Sequence, residues 1–188
     1  MTQPQREILR IAQAQSGDRE AMDELLRAIQ EPLYHYIFGL AGDHHLAIDI
    51  LQDVFVLIIR KLAWLRDPRV FRPWTYRIAS REAFRRLKRE RRMTENLESE
   101  ACLESEPIAP TEDRNAHDLI DQLPVLLQEV SPASRAVLSL HYLREMTLQE
   151  VADVLEIPLG TVKARLAYGL SALRKKLSGQ PPPTGSAR

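Results

Sequence analysis

Apolar residues recur at steps of three and four along most of this chain, and runs of β-branched residues are absent, so the pattern predicts helices nearly throughout. Ile8, Leu9, Ile11 and Ala12 mark a first helix over residues 5–15, ended by Ser16-Gly17. Asp18 is placed to cap a second, with Ala21, Met22, Leu25, Leu26 and Ile29 inward; after Glu31-Pro32 a third carries Leu33, Tyr34, Ile37 and Leu40 and stops at Gly42. A fourth, from about His45 to Trp64, has a broad core face of Leu46, Ala47, Ile50, Leu51, Val54, Phe55, Ile58 and Leu62. Ile48, Val56 and Ile59 project from its other side among Asp49, Gln52, Asp53 and Arg60. A helix apolar all round is either central in a core or keeps a face for a partner, and the interspersed carboxylates favour the partner.

Near the other end, Thr147 and Glu150 have capping-box spacing, and Leu148, Val151, Ala152 and Leu155 recur at helical steps. Glu156-Ile157-Pro158 interrupts the pattern, since a proline disfavours helix in the residue before it and suits the first turn of the next. The second helix therefore begins near Pro158, with Val162, Leu166, Leu170, Leu173 and Leu177 on one stripe. Its opposite face carries Thr161, Ala164, Tyr168, Ser171 and Lys175, flanked by Lys163 and Arg174 on one edge and Arg165 and Lys176 on the other. This reads as a helix-turn-helix, whose small central residues and flanking cations suit a major groove with phosphates on either side. A plain helical hairpin with a solvated face fits the same pattern, and Gly169 weakens the helix by roughly 1 kcal/mol against alanine.

Between these modules, Asp67-Pro68 breaks the chain before a segment in which Trp74, Arg77, Arg81, Phe84, Lys88 and Arg92 share one helix face. Interleaved cations and aromatic rings suit a surface that tracks a phosphate backbone and stacks unpaired bases. The alternative is that Trp74 packs into the core and the arginines are simply solvated.

Charge sharpens this picture. The 188 residues sum to zero net charge, but in segregated blocks: residues 60–92 hold 13 Lys/Arg against 3 Asp/Glu, residues 93–130 hold 1 against 10, and residues 131–188 hold 8 against 4. Residues 93–116 are acidic, proline-punctuated and poor in large apolar side chains, which makes them a flexible linker between domains that could lie tens of ångströms apart. A second helical module follows from His117, restarted at Pro124 and again at Ser131-Pro132, and residues 178–188 form a tail with no capacity to fold. The expected architecture is all-α: an N-terminal helical domain (1–92), the linker (93–116) and a C-terminal helix-turn-helix domain (117–177).

Little points to catalysis. The lone Cys102 excludes an internal disulfide framework, the histidines lack metal-ligand spacing, and no phosphate loop, dinucleotide fingerprint or nucleophile elbow occurs. No metal, cofactor or enzymatic activity is expected, and no apolar segment reaches membrane-spanning length, so a cytoplasmic protein without membrane insertion is expected.

AIDILQDVFVLIIRKL, FRPWTYRIASREAFRRLKRERR and LQEVADVLEIPLGTVKARL, in that order, resemble the bacterial RNA polymerase sigma factors of the extracytoplasmic-function group. The resemblance covers nearly everything from residue 18 to 177. It implies that Ile48, Asp49, Gln52, Asp53 and Val56, with Val54 and Phe55 on or beside them, face core RNA polymerase. It implies that Trp74, Tyr76 and Arg77, together with the Arg81, Phe84 and Lys88 face, meet the melted single-stranded −10 promoter element, and that Thr161, Lys163, Arg165 and Tyr168 meet the duplex −35 element. It implies that the acidic linker threads toward the polymerase cleft, and adds an anti-sigma factor as a candidate partner. Arg81 and Arg85 stand where the family often has Asn and Asp, and Tyr168-Gly169-Leu170 replaces a usual basic-small-basic run, so promoter preference does not carry over. Two other readings stay open. One is a dimeric helix-turn-helix regulator that works without polymerase and pairs through Ile48, Val56 and Ile59. The other is a scaffold whose acidic linker docks onto its own basic helix.

Overall fold

The computed structural model describes residues 3–98 and 130–178, with side chains over 5–92 and 130–175. The described residues are helical, without strands. Four helices form the N-terminal half: α1 (Gln3–Gln15), α2 (Arg19–Ala41), α3 (His44–Lys61) and α4 (Phe71–Glu98). The C-terminal half contains α5 (Pro132–Leu138), a π turn over Ser139–Leu143, α6 (Leu148–Leu155) and α7 (Leu159–Ser178).

The starts of these helices follow from side-chain chemistry. Asp18 accepts the Glu20 and Ala21 amides at 3.0 and 3.1 Å, and Asp43 accepts the Leu46 amide at 2.7 Å, satisfying donors that the first turn leaves open. Gly42 closes α2 in the left-handed region at φ 73°. The capping box at α6 is complete, the Glu150 amide reaching Thr147 Oγ1 and the Thr147 amide reaching Glu150 Oε2.

One expectation fails at Pro32. The second and third helices read from the sequence are a single helix, α2, that runs through the proline. An internal proline costs about 3 kcal/mol or more. Leu25, Ile29, Leu33, Tyr36, Ile37 and Leu40 nevertheless form one buried stripe across it. At roughly 1.5–3 kcal/mol for each large buried side chain, the stripe outweighs the lost hydrogen bond.

After α3 a 3-10 turn over Leu62–Trp64 is held to α1 by Gln15 Nε2, which donates to Leu62 O at 2.9 Å and Leu65 O at 2.8 Å. A second 3-10 turn over Pro68–Val70 is fixed by Asp67, which accepts the Arg69 amide at 3.0 Å and is also paired with the Arg69 guanidinium. α4 then runs past Arg92 to Glu98. The linker expected over residues 93–116 does not begin at 93, because α4 continues through Glu98; its remainder, 99–116, Cys102 within it, the helical start at His117, the restart at Pro124 and residues 179–188 of the expected tail lie outside the described residues.

In the core, Tyr36 and Ser80 form a buried relay. Ser80 Oγ donates to Tyr76 O at 2.7 Å, which leaves Tyr36 Oη to donate to Ser80 Oγ at 2.7 Å. Burial pushes the Tyr36 phenol well above its ordinary range. A raised acid is neutral in both folded and unfolded chains below the unfolded phenol value of about 10, so its contribution is intact there and is lost as pH rises beyond it. Tyr36→Phe is expected to cost about 1 kcal/mol in denaturant unfolding at neutral pH and to remove part of the stability loss above about pH 10.

The two halves are packed together rather than held apart. α5 lies on α2, and α6 lies on α4. Ala136, Val137, Leu140, Met146, Val151 and Val154 belong to the same contiguous buried cluster as Leu33, Ile37, Leu40 and Ala83.

Candidate polymerase and nucleic-acid interfaces

α3 presents two different faces. Ala47, Ile50, Leu51, Val54 and Ile58 are buried against α2 and α4, which settles Val54 as a core side chain. Asp49, Gln52, Asp53 and Val56 are exposed on the opposite side, with Ile48 half-buried beside them. Ile59, 48% exposed, extends that face beside Val56. Asp49 lies 3.8 Å from Arg86 of α4, and Asp53 adds a small electrostatic contribution at Arg85, whose main partner is Glu82.

α4 is the cationic element. Its inward side buries Phe71, Thr75, Tyr76, Ile78, Ala79, Glu82 and Ala83, and the packing of Tyr76 edge-on to Tyr36 in the core corrects its expected place among the single-strand contacts. Arg81 and Lys88 are exposed on the other side; Trp74, Arg77 and Phe84 are half-buried, with the Trp74 ring tilted on Phe71 at 6.1 Å and both aromatic side chains packed against the core. Trp74 and Phe84 thus anchor the helix with one side of their rings and leave the other accessible. α6 covers an edge of this face. Arg81 forms a bidentate ion pair with Glu156, its Nε 2.8 Å from Oε2, and Arg77 lines a groove with Ala152, Asp153, Glu156 and Ile157. The hydrogen bonds from Arg81 hold the Glu156 carboxyl below the ordinary carboxylate range.

α7 carries the other nucleic-acid candidate. Val162 is fully buried and Leu166, Leu170 and Leu173 are half-buried, whereas Lys163, Ala164, Tyr168, Ser171, Arg174 and Lys175 are exposed, with Thr161 and Arg165 at the edges. The side chains of Lys176 and Leu177 lie outside the described ones. Gly169 corrects the sequence reading of a blemish. It is buried where α7 crosses α5, and a Cβ there would sit 2.8 Å from Leu138 Cδ1 and 3.3 Å from its Cγ. The missing side chain allows the close approach of α7 to α5 at Leu138, while Tyr168 beside it is 64% exposed.

Spacing did not reveal the residues that join the halves. Glu156 caps α6 in the left-handed region at φ 55°, a conformation that a non-glycine residue adopts at a cost of roughly 1–2 kcal/mol. Arg135 is buried, and Arg144 reaches Pro32 O at 2.8 Å with its guanidinium carbon 5.9 Å above the Tyr76 ring. An arginine set directly before the largely apolar stretch Ala136–Leu140 was the one available signal for Arg135.

Residues 25–93 match the family model described as sigma-70 region 2, and residues 126–175 match that described as sigma-70 region 4. The chain is 27% identical over 177 residues to the ECF RNA polymerase sigma factor SigW of Bacillus subtilis, an alignment that covers 89% of this chain and 95% of SigW. This chain belongs to the extracytoplasmic-function sigma factors. As such it directs transcription initiation by RNA polymerase. The sigma factor is also 30% identical over 172 residues to the ECF RNA polymerase sigma factor SigE of Mycolicibacterium smegmatis, covering 87% of this chain and 65% of that one. In fold it is similar to the Bartonella quintana sigma factor RpoE, solved with the anti-sigma factor NepR, at 18% identity and a TM-score of 0.66, covering 85% of this chain and 98% of the other. Among the described residues, no helix is long and apolar enough to cross a membrane.

Proposed function

We propose that this sigma factor divides its work among three helix faces. The outward face of α3, with Ile48, Asp49, Gln52, Asp53, Val56 and Ile59, binds core RNA polymerase. The face of α4 bearing Trp74, Arg77, Arg81, Phe84 and Lys88 holds the melted −10 strand, and Thr161, Lys163, Arg165 and Tyr168 of α7 read the −35 duplex. The observation that carries the reading is that the mixed acidic and apolar face of α3 is exposed and separate from two cationic faces on different modules.

The physical division of labour is plain. Exposed Val56 and Ile59 beside two carboxylates suit a protein partner with basic and apolar groups, and repel a phosphate backbone. Half-buried aromatic rings among arginines suit unstacked bases. A helix with small central residues and cations on its edges suits a major groove. The functional units are residues 1–92 and 117–177, joined by the acidic segment 93–116. The factor stabilises strand opening without chemistry of its own, needs no cofactor and acts in the cytoplasm, where bacterial RNA polymerase works. The B. quintana relative seen with NepR supports an anti-sigma factor as a further partner.

Size-exclusion chromatography of the chain mixed with purified core polymerase tests the reading. A stoichiometric complex is expected. A free chain that elutes apart from the polymerase and protects a palindromic duplex on its own would instead support a dimeric regulator. For α7, Lys163→Ala with Arg165→Ala is expected to weaken −35 duplex binding in the holoenzyme and to flatten the plot of log affinity against log salt by about two units, nearly one per lost phosphate contact, in anisotropy titrations.

A further inference from the structure

We propose that the pocket between α1, α2 and the first turn of α4 binds a small organic phosphate, with Arg6, Arg10 and Arg72 gripping the phosphate and an apolar floor receiving the body of the ligand. The proposal lies outside the three helix faces assigned above and does not depend on them.

Three elements build the pocket, whose volume is about 490 Å³. Arg6 and Arg10 lie one turn apart on α1, and Arg72 joins them from the start of α4. Leu25, Ala28 and Ile29 come from one stripe of α2 and form the floor with Phe71. Leu25, Ile29 and Phe71 are buried, so the floor is held by the core behind it. A concavity of this size with an apolar wall and a few converging polar groups has the form of a small-ligand site. Guanidiniums reach it from two helices, and their planar forks match phosphate oxygens in pairs. The pocket is also remote from the nucleic-acid face of α4. Trp74 follows Arg72 by two residues, about 200° around the helix axis, which puts the two on different sides of the helix. Among the described residues, none from α3 lines the pocket.

The charges in the pocket are only loosely committed to one another. Arg72 Nε lies 3.0 and 3.4 Å from the two carboxylate oxygens of Glu7, and Arg10 Nε lies 2.6 Å from Glu24 Oε2. Arg6, exposed at the rim, has no ion-pair partner among the described residues. Pairs as open to water as these are weak, so a ligand carrying two or more negative charges can draw Arg72 and Arg10 away from their carboxylates. Glu7 is the one carboxylate among the lining residues, set against three guanidiniums, which leaves the pocket cationic and makes Glu7 the group that an anion must displace. A phosphate shared by Arg10 and Arg72 ties α1 to the start of α4, and binding to the folded chain alone raises its stability.

The test uses the full chain without polymerase, in calorimetric titrations and thermal unfolding at one ionic strength, with ADP, GDP, inorganic pyrophosphate and adenosine as probes. At least one of the two nucleotides is expected to bind saturably with a Kd below about 1 mM and to raise the unfolding midpoint. Pyrophosphate, which leaves the apolar floor empty, is expected to bind about tenfold more weakly than that nucleotide, and adenosine, which leaves the arginines unused, at least tenfold more weakly. Arg10→Gln and Arg72→Gln are each expected to weaken nucleotide binding about tenfold, and Glu7→Gln to tighten it about threefold. Arg60→Gln, which removes an exposed cation of α3 outside the pocket, is expected to bind as wild type. All four substitutions are at solvated ion pairs or exposed positions, and the unfolding curve of each unliganded variant shows that it is folded. Absence of saturation by both nucleotides up to about 1 mM overturns the proposal, as does pyrophosphate or adenosine binding as tightly as the nucleotide. So does nucleotide affinity unchanged in Arg10→Gln and Arg72→Gln, or lowered equally in Arg60→Gln. If Arg10→Gln instead lowers affinity for a single-stranded oligonucleotide and leaves nucleotide binding intact, the pocket serves the nucleic-acid backbone and the proposal fails.

Discussion

Asp49→Lys with Asp53→Lys is expected to lower affinity for core polymerase by about 100-fold, or roughly 3 kcal/mol, in a titration of labelled factor with purified core. The two carboxylates lie one helical turn apart on the exposed side of α3, between Ile48, Gln52 and Val56. Arg86 of α4 lies 3.8 Å from Asp49, and both carboxylates stay exposed. Reversal therefore places two cations at the centre of the proposed contact, where like charge is repelled. Both positions are exposed, so stability should change by about 0.5 kcal/mol or less. Val54→Ala would also impair binding, but by unfolding, because that side chain is fully buried. Polymerase affinity within threefold of wild type in the double reversal would mean that the contact surface has been misassigned.

Arg135→Ala is expected to be the most destabilising single change at the junction of the halves, costing about 3 kcal/mol in denaturant unfolding. It would leave the carbonyls of Gly39, Leu40 and Val130 without their shared donor in a site closed to water. Burial already lowers the pKa of this guanidinium, so the surrounding carbonyls are what makes a charge tolerable there. Lysine should recover less than half of the loss, since one ammonium cannot span three carbonyls that a planar fork reaches together. The unfolding curve should also split into two transitions as the halves lose their coupling. A single transition at the wild-type midpoint would show that Arg135 does not join them.

Much of this architecture was legible in the sequence because local chemistry determines it. Asp18 and the Thr147/Glu150 pair mark helix starts, and the period of apolar residues separates the two faces of α3. The local code misled at Pro32, where a buried stripe outweighs a lost hydrogen bond, and at Gly169, where a small residue serves a helix crossing that the sequence does not display. Arg81 shows the limit most clearly. Its helix face was readable from spacing, but its partner Glu156 is 75 residues away and sits in a left-handed turn that no glycine announces. Which cations are occupied depends on how the two modules pack, and packing across a long connection leaves no periodic trace. The α4 face was accordingly readable as cationic and aromatic, and not as paired with α6.

Run-off transcription by purified core polymerase, with and without this chain, on fragmented genomic DNA from the same organism tests the central claim most directly. The account predicts discrete transcripts that appear only with the chain present, and that disappear with Asp49→Lys/Asp53→Lys and with Lys163→Ala/Arg165→Ala. Transcripts indifferent to the chain, or initiation that survives both pairs of substitutions, would contradict it.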